Sequence, residues 1–340
     1  MRKVLPLLSL IVVLGSCDKE SEYILNQDVF CGYREELACK DMNVFCKDKT
    51  DVFVCMDVDG NAVSGHVVGF YPDGVKQADL FVRNGKAHGI YKYFYANGNL
   101  LSKGRFRTGK LNGVVKDYRS NGKLNEVTTY KNGKEHGENY ALYENGKTSI
   151  KVKTKNGKWV NSKLYDENGV LTEEHIYNDN KSTYKYYDEN GLLNKVEYFD
   201  RGLVGEEHYV NGKLDGIRKS YYDDKKTVEY EESWKDGQLN GITKHYDKNG
   251  VLDHETNYDK GLRNGYDREY FSDGSLQSEM FFIYDTSHGT RKFFSSPGKL
   301  LYEMTHKYGI PDGIERHYSE DGEITEERVY KDGKLIKETK

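Results

Sequence analysis

The chain has no cysteine beyond Cys55, no apolar run long enough to span a bilayer as a helix, and no recognisable catalytic fingerprint. Each absence removes a class of protein. Apolar residues make up 36% of 340, well below the roughly 45–50% of a typical globular chain, which argues against a thick two-layer core. A basic stripe is also missing. Lys and Arg number 51 against 55 Asp and Glu, a net charge of −4, and the signs alternate along the chain, so nucleic acid is an unsuitable partner. There is no phosphate-cradling loop, no nucleophile elbow and no dinucleotide fingerprint. Asp57-Val58-Asp59-Gly60-Asn61 starts like a calcium loop, but Ala62 stands where that loop needs Gly, and Val68 stands where it needs Glu.

What is present is repetition. Glycines recur every 24 residues at Gly65, Gly89, Gly113 and Gly137 and again at Gly241, Gly265, Gly289 and Gly313, with a second series at Gly74, Gly98, Gly122 and Gly146. Units this small cannot bury an apolar face alone and must stack. Each contains two Asn-Gly or Asp-Gly steps, the strongest short signal for a hairpin turn with positive φ. The intervals between turns fit strands of about 6–9 residues, so the chain reads as a meander. The 29 Tyr and 13 Phe set it apart from a disordered polar chain.

A period of two confirms the strands. Five residues past the second Gly stand Phe70, Phe94, Tyr118, Tyr221, Tyr246, Tyr270, Phe294 and Tyr318; the return strands carry Leu100, Leu124, Leu252 and Leu276 with an aromatic six residues on. The even offset of six places that Leu and that aromatic on the same face of their strand, so one face reads as aromatic and aliphatic and the other as Lys, Glu, Asp and Arg. The second Gly lies outside the turn, and an aromatic ring over its bare backbone is the expected compensation. His88, His136 and His288 are copies of one repeat position, too far apart to share a metal ion, while His208, His245, His254 and His317 show no ligand spacing. Adjacent pairs such as Glu206-Glu207 and Glu231-Glu232 point to opposite faces and form no acid/base site.

The pattern Tyr-x-Asn-Gly-Lys-x-x-Gly-x-x-x-x-Tyr-x-x-Asn-Gly-x-Leu, nearly whole from Tyr130 to Tyr143 and from Trp234 to Leu252, resembles the bacterial variant of the MORN repeat. The resemblance covers about residues 59–340. It implies an all-β fold: an elongated single-layer antiparallel β-meander of tandem MORN-like hairpin repeats, irregular near the middle. Family members carry YwqK-type antitoxin labels, and eukaryotic ones are linked to phosphoinositides and scaffolding.

Arg2 and Lys3, an apolar run to Leu14 and the box Leu14-Gly15-Ser16-Cys17 resemble a lipoprotein signal peptide, with Cys17 as the lipidated residue. Residues 1–16 are then signal peptide and 17–58 a tether and Cys-rich cap, in which Cys31, Cys39, Cys46 and Cys55 form two disulfides of open connectivity. The expected location is the bacterial envelope, with the membrane and side open. A first arm spans 59–199 and a second 235–340. Between them lies an irregular stretch, 200–234, where the glycine clock slips; upstream of it, Asn161 and Tyr184 replace the second Gly.

Function is expected to lie on the surface of the array. Candidate binding residues are Tyr91, Tyr93, Tyr95, Tyr140, Tyr186, Tyr187 and Tyr222, aromatics outside the framework rows. The expectation is a non-enzymatic scaffold with no cofactor, bound to the membrane by lipid and to an unknown protein partner. Glycan or phospholipid-headgroup binding through Tyr rows is the alternative, and an antitoxin-like role rests on the family label alone.

Overall fold

A computed structural model describes residues 45–49, 52–57, 59–71, 73–295 and 298–339. Cys17, Cys31 and Cys39 lie outside them. Among the described residues there is no helix, so none is long and apolar enough to cross a membrane. The chain divides into two compact units, Met1–Trp159 and Val160–Lys340, and each is an antiparallel meander in which sequential strands pair.

In the first unit, Gly65–Phe70, Lys76–Arg83, Lys86–Phe94, Leu100–Arg107, Gly113–Tyr118, Leu124–Lys131, Gly137–Leu142 and Thr148–Lys155 follow one another in hydrogen-bonded order. The turns have the expected chemistry: Asn84, Asn132 and Asn156 sit at φ 50–54°, each followed by a Gly of positive φ, which only Asn, Asp and Gly adopt cheaply. One face carries Val67, Leu80, Tyr91, Phe106 and Val115, all buried. The hairpin of Phe45–Lys49 and Val52–Met56 closes this cluster, with Phe53 stacked on Phe106 at 5.5 Å between ring centroids. It runs along the turns. The Phe53 and Cys55 amides donate to the carbonyls of Gly109 and Gly85, each at 2.7 Å. Cys55 is buried and disulfide-bonded, and Cys46 stands opposite it in the backbone register.

The second unit repeats the scheme. Pairing continues without a gap through the slipped stretch, from Leu193–Asp200 to Leu203–Val210, Gly216–Tyr221 and Val228–Lys235. Lys225 takes the turn position where Gly was expected, at φ 59°. Asp224 supports it by accepting from the Lys226 and Thr227 amides, each at 2.9 Å. The Lys225 side chain lies directly against Gly202, where an added Cβ would meet it at 2.7 Å.

The second Gly of each unit has a different cause from the one its sequence position suggested. Gly89, Gly113, Gly137, Gly216, Gly241, Gly265, Gly289 and Gly313 all have φ between 78° and 135°, a region that strains other residues. An aromatic often stands opposite in register, as Tyr130 does to Gly113. The space beside these glycines, however, is filled by Cβ atoms of Thr129, His208, Ser233, Asn257, Phe281 and Thr305, with no Tyr or Phe ring among them, or is open. They mark bulges that re-aim the strand. Where Asn161 and Tyr184 replace them the backbone stays extended, and Leu171–Asn178 pairs with Lys181–Tyr187 without a register shift.

Gly104 is the position where absence of a side chain matters for packing. An added Cβ would lie 2.8 Å from both the Tyr91 ring and Val115. Both neighbours are buried in the cluster and cannot retreat, so Gly104→Ala is expected to destabilise the first unit by about 1–3 kcal/mol, measured by chemical denaturation. Gly122→Ala, with nothing within 4 Å, should show only the strain of its turn conformation.

Candidate interaction surface

The forward strands place three residues on the face opposite the buried cluster: one, three and five positions after the second Gly. The first of these is an exposed apolar residue in many repeats. Ile90 is 67% exposed and Val114 49%, with Ile217, Ile242 and Tyr266 about 40% exposed in the second unit. The second is a cation: Lys92, Lys116, Lys219, Lys244, Arg268, Lys292 and Arg316. The third is the framework aromatic.

In the second unit the cations stand opposite carboxylates. Glu206, Lys219, Glu231, Lys244, Glu255, Arg268, Glu279, Lys292, Glu303, Arg316 and Glu327 face one another strand by strand, alternating in sign. Arg316 bridges Glu303 and Glu327, both at 3.0 Å, and Arg268 bridges Glu255 and Glu279 at 3.3 and 3.4 Å. The framework tyrosines complete the pattern. Tyr221, Tyr246, Tyr270 and Tyr318 each donate a hydroxyl hydrogen bond to the Glu 15 residues earlier, at 2.8–3.2 Å. Each directly opposed pair contributes about 0.2–1 kcal/mol. Adjacent glutamates serve opposite faces, as expected: Glu231 takes Lys219, and its neighbour Glu232 takes Arg218 at 3.1 Å.

The same repeat positions in the first unit are not neutralised. Lys92, Lys103 and Lys116 stand directly opposite one another. Asp79, at one end of the row, is already engaged by Lys76 at 3.1 Å and by His66. Lys103 lies 5.6 Å from the centre of the Tyr118 ring, an aromatic contact with no carboxylate. Ile90, Lys103, Arg105, Val114 and Lys116 border a shallow groove over Gly104.

Carboxylates collect on the other face of that unit. Asp117 stands opposite Glu126, with Glu135 nearby. Burial pushes all three carboxyls up, and for Glu126 the charges of Asp117 and Glu135 add to it. The second unit has the contrary bias. Against the upward push of burial, the Asn161 amide and Lys163 hold Glu174 below its ordinary range, and His254 does the same for Asp267. The Asp267 hydrogen bond in turn raises His254.

The seven candidate tyrosines do not form an exposed row. Tyr91 is 4% exposed and belongs to the buried cluster, and Tyr93 packs against it. Tyr95 and Tyr222 donate to the carbonyls of Tyr118 and Tyr246 in the next repeat, at 2.8 and 2.7 Å. Tyr186 and Tyr187 donate to Glu197 and Glu174; Tyr140 is half-buried opposite Val127. These hydroxyls lace the sheet together. Exposed apolar side chains recur instead just after the second Gly, a position visible in the repeat alignment once the bulge is known to aim it outward, and others stand elsewhere, such as Phe81, Val210, Tyr308 and Ile336. Among the described residues no group of three or more His, Cys, Asp or Glu is placed to hold a metal ion.

A family model for the MORN repeat variant matches residues 87–107, 111–132, 161–179, 239–260 and 311–339. These five stretches are similar to the MORN repeat variant. No curated protein matches it. Among solved structures, the crystal structure of TcdB2-TccC3 aligns over 85% of this chain and 18% of that chain, at 13% identity and a TM-score of 0.18. The same assembly without its hypervariable C-terminal region aligns over 88% and 18%, at 12% identity and a TM-score of 0.17.

The opposed shifts fix a pH test. Glu126 has a raised pKa in the folded state, so the stability it contributes is present below its unfolded value and lost as pH rises through the folded value. Glu126→Gln is therefore expected to raise the Tm at pH 7, with the gain shrinking toward about pH 4, where the native carboxyl is also neutral. Glu174→Gln should lower it at pH 7, because a depressed pKa contributes stability that is lost only as pH falls. Thermal denaturation followed across this range checks both signs.

Proposed function

We propose that this chain is a non-enzymatic repeat scaffold of the bacterial cell envelope, anchored to a membrane by lipid on Cys17 and working through protein–protein contacts. The observation that supports it best is the recurrence of an exposed apolar side chain at one repeat position, Ile90, Val114, Ile217, Ile242 and Tyr266. Repeated apolar side chains standing out of a polar sheet are the usual mark of a recognition surface. The MORN-variant repeats favour the same reading, because array surfaces bind through their face. Copies one repeat apart lie two strands, about 10 Å, from each other, a spacing suited to spreading contacts rather than converging on a reacting atom.

The membrane anchor rests on the amino-terminal sequence, through its cationic start, short apolar run and Leu14-Gly15-Ser16-Cys17 box. An exported, lipidated protein does not meet a cytosolic toxin, which weighs against the antitoxin label. Glycan or headgroup stacking at the candidate row is disfavoured because Tyr95, Tyr186, Tyr187 and Tyr222 are engaged within the sheet and Tyr91 is buried.

Two measurements test this reading. Labelled palmitate should enter the wild-type chain and be lost in Cys17→Ala; an unlabelled wild type removes the envelope anchor. Crosslinking in native membranes followed by mass spectrometry should recover a stoichiometric protein partner, and recovery of none contradicts the scaffold.

A further inference from the structure

We propose that the open face of the first unit docks an acidic amphipathic helix of a partner protein, lying across the strands over Lys92, Lys103 and Lys116 and beside Ile90 and Val114. This rests on the protein-interaction reading above and adds to it a surface and a chemistry.

Three observations carry it. Like charges directly opposite on neighbouring strands destabilise a sheet, yet Lys92, Lys103 and Lys116 stand in one row. None of them makes an ion pair among the described residues. The equivalent row of the second unit shows that the repeat readily supplies carboxylates at these places, since Arg268 and Arg316 each sit between two. The first unit therefore retains cations that an external carboxylate row would neutralise. Beside that row, Ile90 and Val114 are the most exposed apolar side chains on this face of the unit, at 67% and 49%, and they share a groove with Lys103 and Lys116.

Spacing selects the form of the partner. Neighbouring strands are about 4.8 Å apart, so the three lysines advance by about 4.8 and 9.6 Å. Carboxylates at i, i+3 or i+4 and i+7 of a helix advance by about 5–6 and 10.5 Å, which follows the row. Same-face side chains of an extended strand advance by about 6.7 and 13 Å and fall out of step. Leu or Ile on the adjoining helical stripe would then meet Ile90 and Val114.

The test uses the full chain in zwitterionic detergent and a fluorescent peptide of about 15 residues, with Glu at every third or fourth position and Leu on the adjoining stripe. The controls are the same residues permuted to a strand alternation, and vesicles containing phosphatidylglycerol. Saturable binding of the helical peptide is expected, weakening with added salt and roughly tenfold tighter than the permuted peptide. Lys103→Glu places a carboxylate between Lys92 and Lys116 as in the second unit. It should weaken binding by roughly tenfold while raising the Tm, so lost binding and lost folding are told apart. The proposal is overturned by absence of saturable binding, by equal binding of the permuted peptide, by preference for the vesicles, or by undiminished binding to Lys103→Glu. A partner crosslinked in native membranes only through other surfaces overturns this site and leaves the scaffold standing; recovery of no protein overturns the scaffold and, with it, the partner class assigned here.

Discussion

At the tip of an ordinary two-residue hairpin the second turn amide faces water. Here it bonds sideways. The N–H of Gly109, Gly133 and Gly157 in the first unit donates to the carbonyl two residues beyond the preceding turn, on Ala87, Leu111 and Glu135; Gly237, Gly261, Gly309 and Gly333 do the same in the second, to Leu214, Leu239, Ser287 and Pro311, with N···O distances of 2.7–2.8 Å. These turns have positive φ at both positions, the conformation that Asn-Gly and Asp-Gly steps such as Asn132-Gly133 and Asp332-Gly333 adopt most cheaply. Sideways bonding couples each hairpin to the one before it, and all else is fixed by the register it imposes. Isolated two-stranded hairpins are marginal in water, so this coupling between repeats converts weak units into a stable meander.

Register then decides which side chains meet. The offset of 15 residues between each framework tyrosine and its glutamate, and the alternation of Glu with Lys or Arg from Glu206 to Glu327, follow from strands held in step by turns and bulges. The slip shows the dependence from the other side: among the described residues the amides of Gly202 and Gly212 find no sideways partner. There Glu197 and Glu206 fall opposite each other, and Lys195 bridges both at 2.8 and 3.2 Å. The array tolerates the slip by moving a cation from the neighbouring position.

Tyr118 and Tyr221 lie with the charged rows and not on a separate aromatic face, but turns, strands and meander were legible in the sequence because each rests on local chemistry: positive φ for Asn-Gly, a period of two for strands. The bulge at the second Gly was not. A mid-strand glycine reads as a site of close approach, and only the backbone of Gly113 or Gly265, at φ 102° and 127°, reveals that conformation is the cause. The surface was misjudged for a related reason. Tyr95 and Tyr222 look free in sequence because their acceptors are carbonyls of the next repeat, and Tyr91 looks free because the hairpin that covers its face lies far from it in sequence. Ile90 and Val114 passed unnoticed as ordinary strand residues. The contrast between a lysine row and an alternating row was hidden in the cross-strand offsets, which the bulges shift.

The dependence of the array on sideways turn bonds is tested most directly by residue-resolved amide hydrogen exchange. The turn-tip amides of Gly109, Gly133, Gly261 and Gly333 are expected to be protected to the level of the adjacent strands, while those of Gly202 and Gly212 exchange freely. Free exchange at all of these turns, with protected strands, would contradict it.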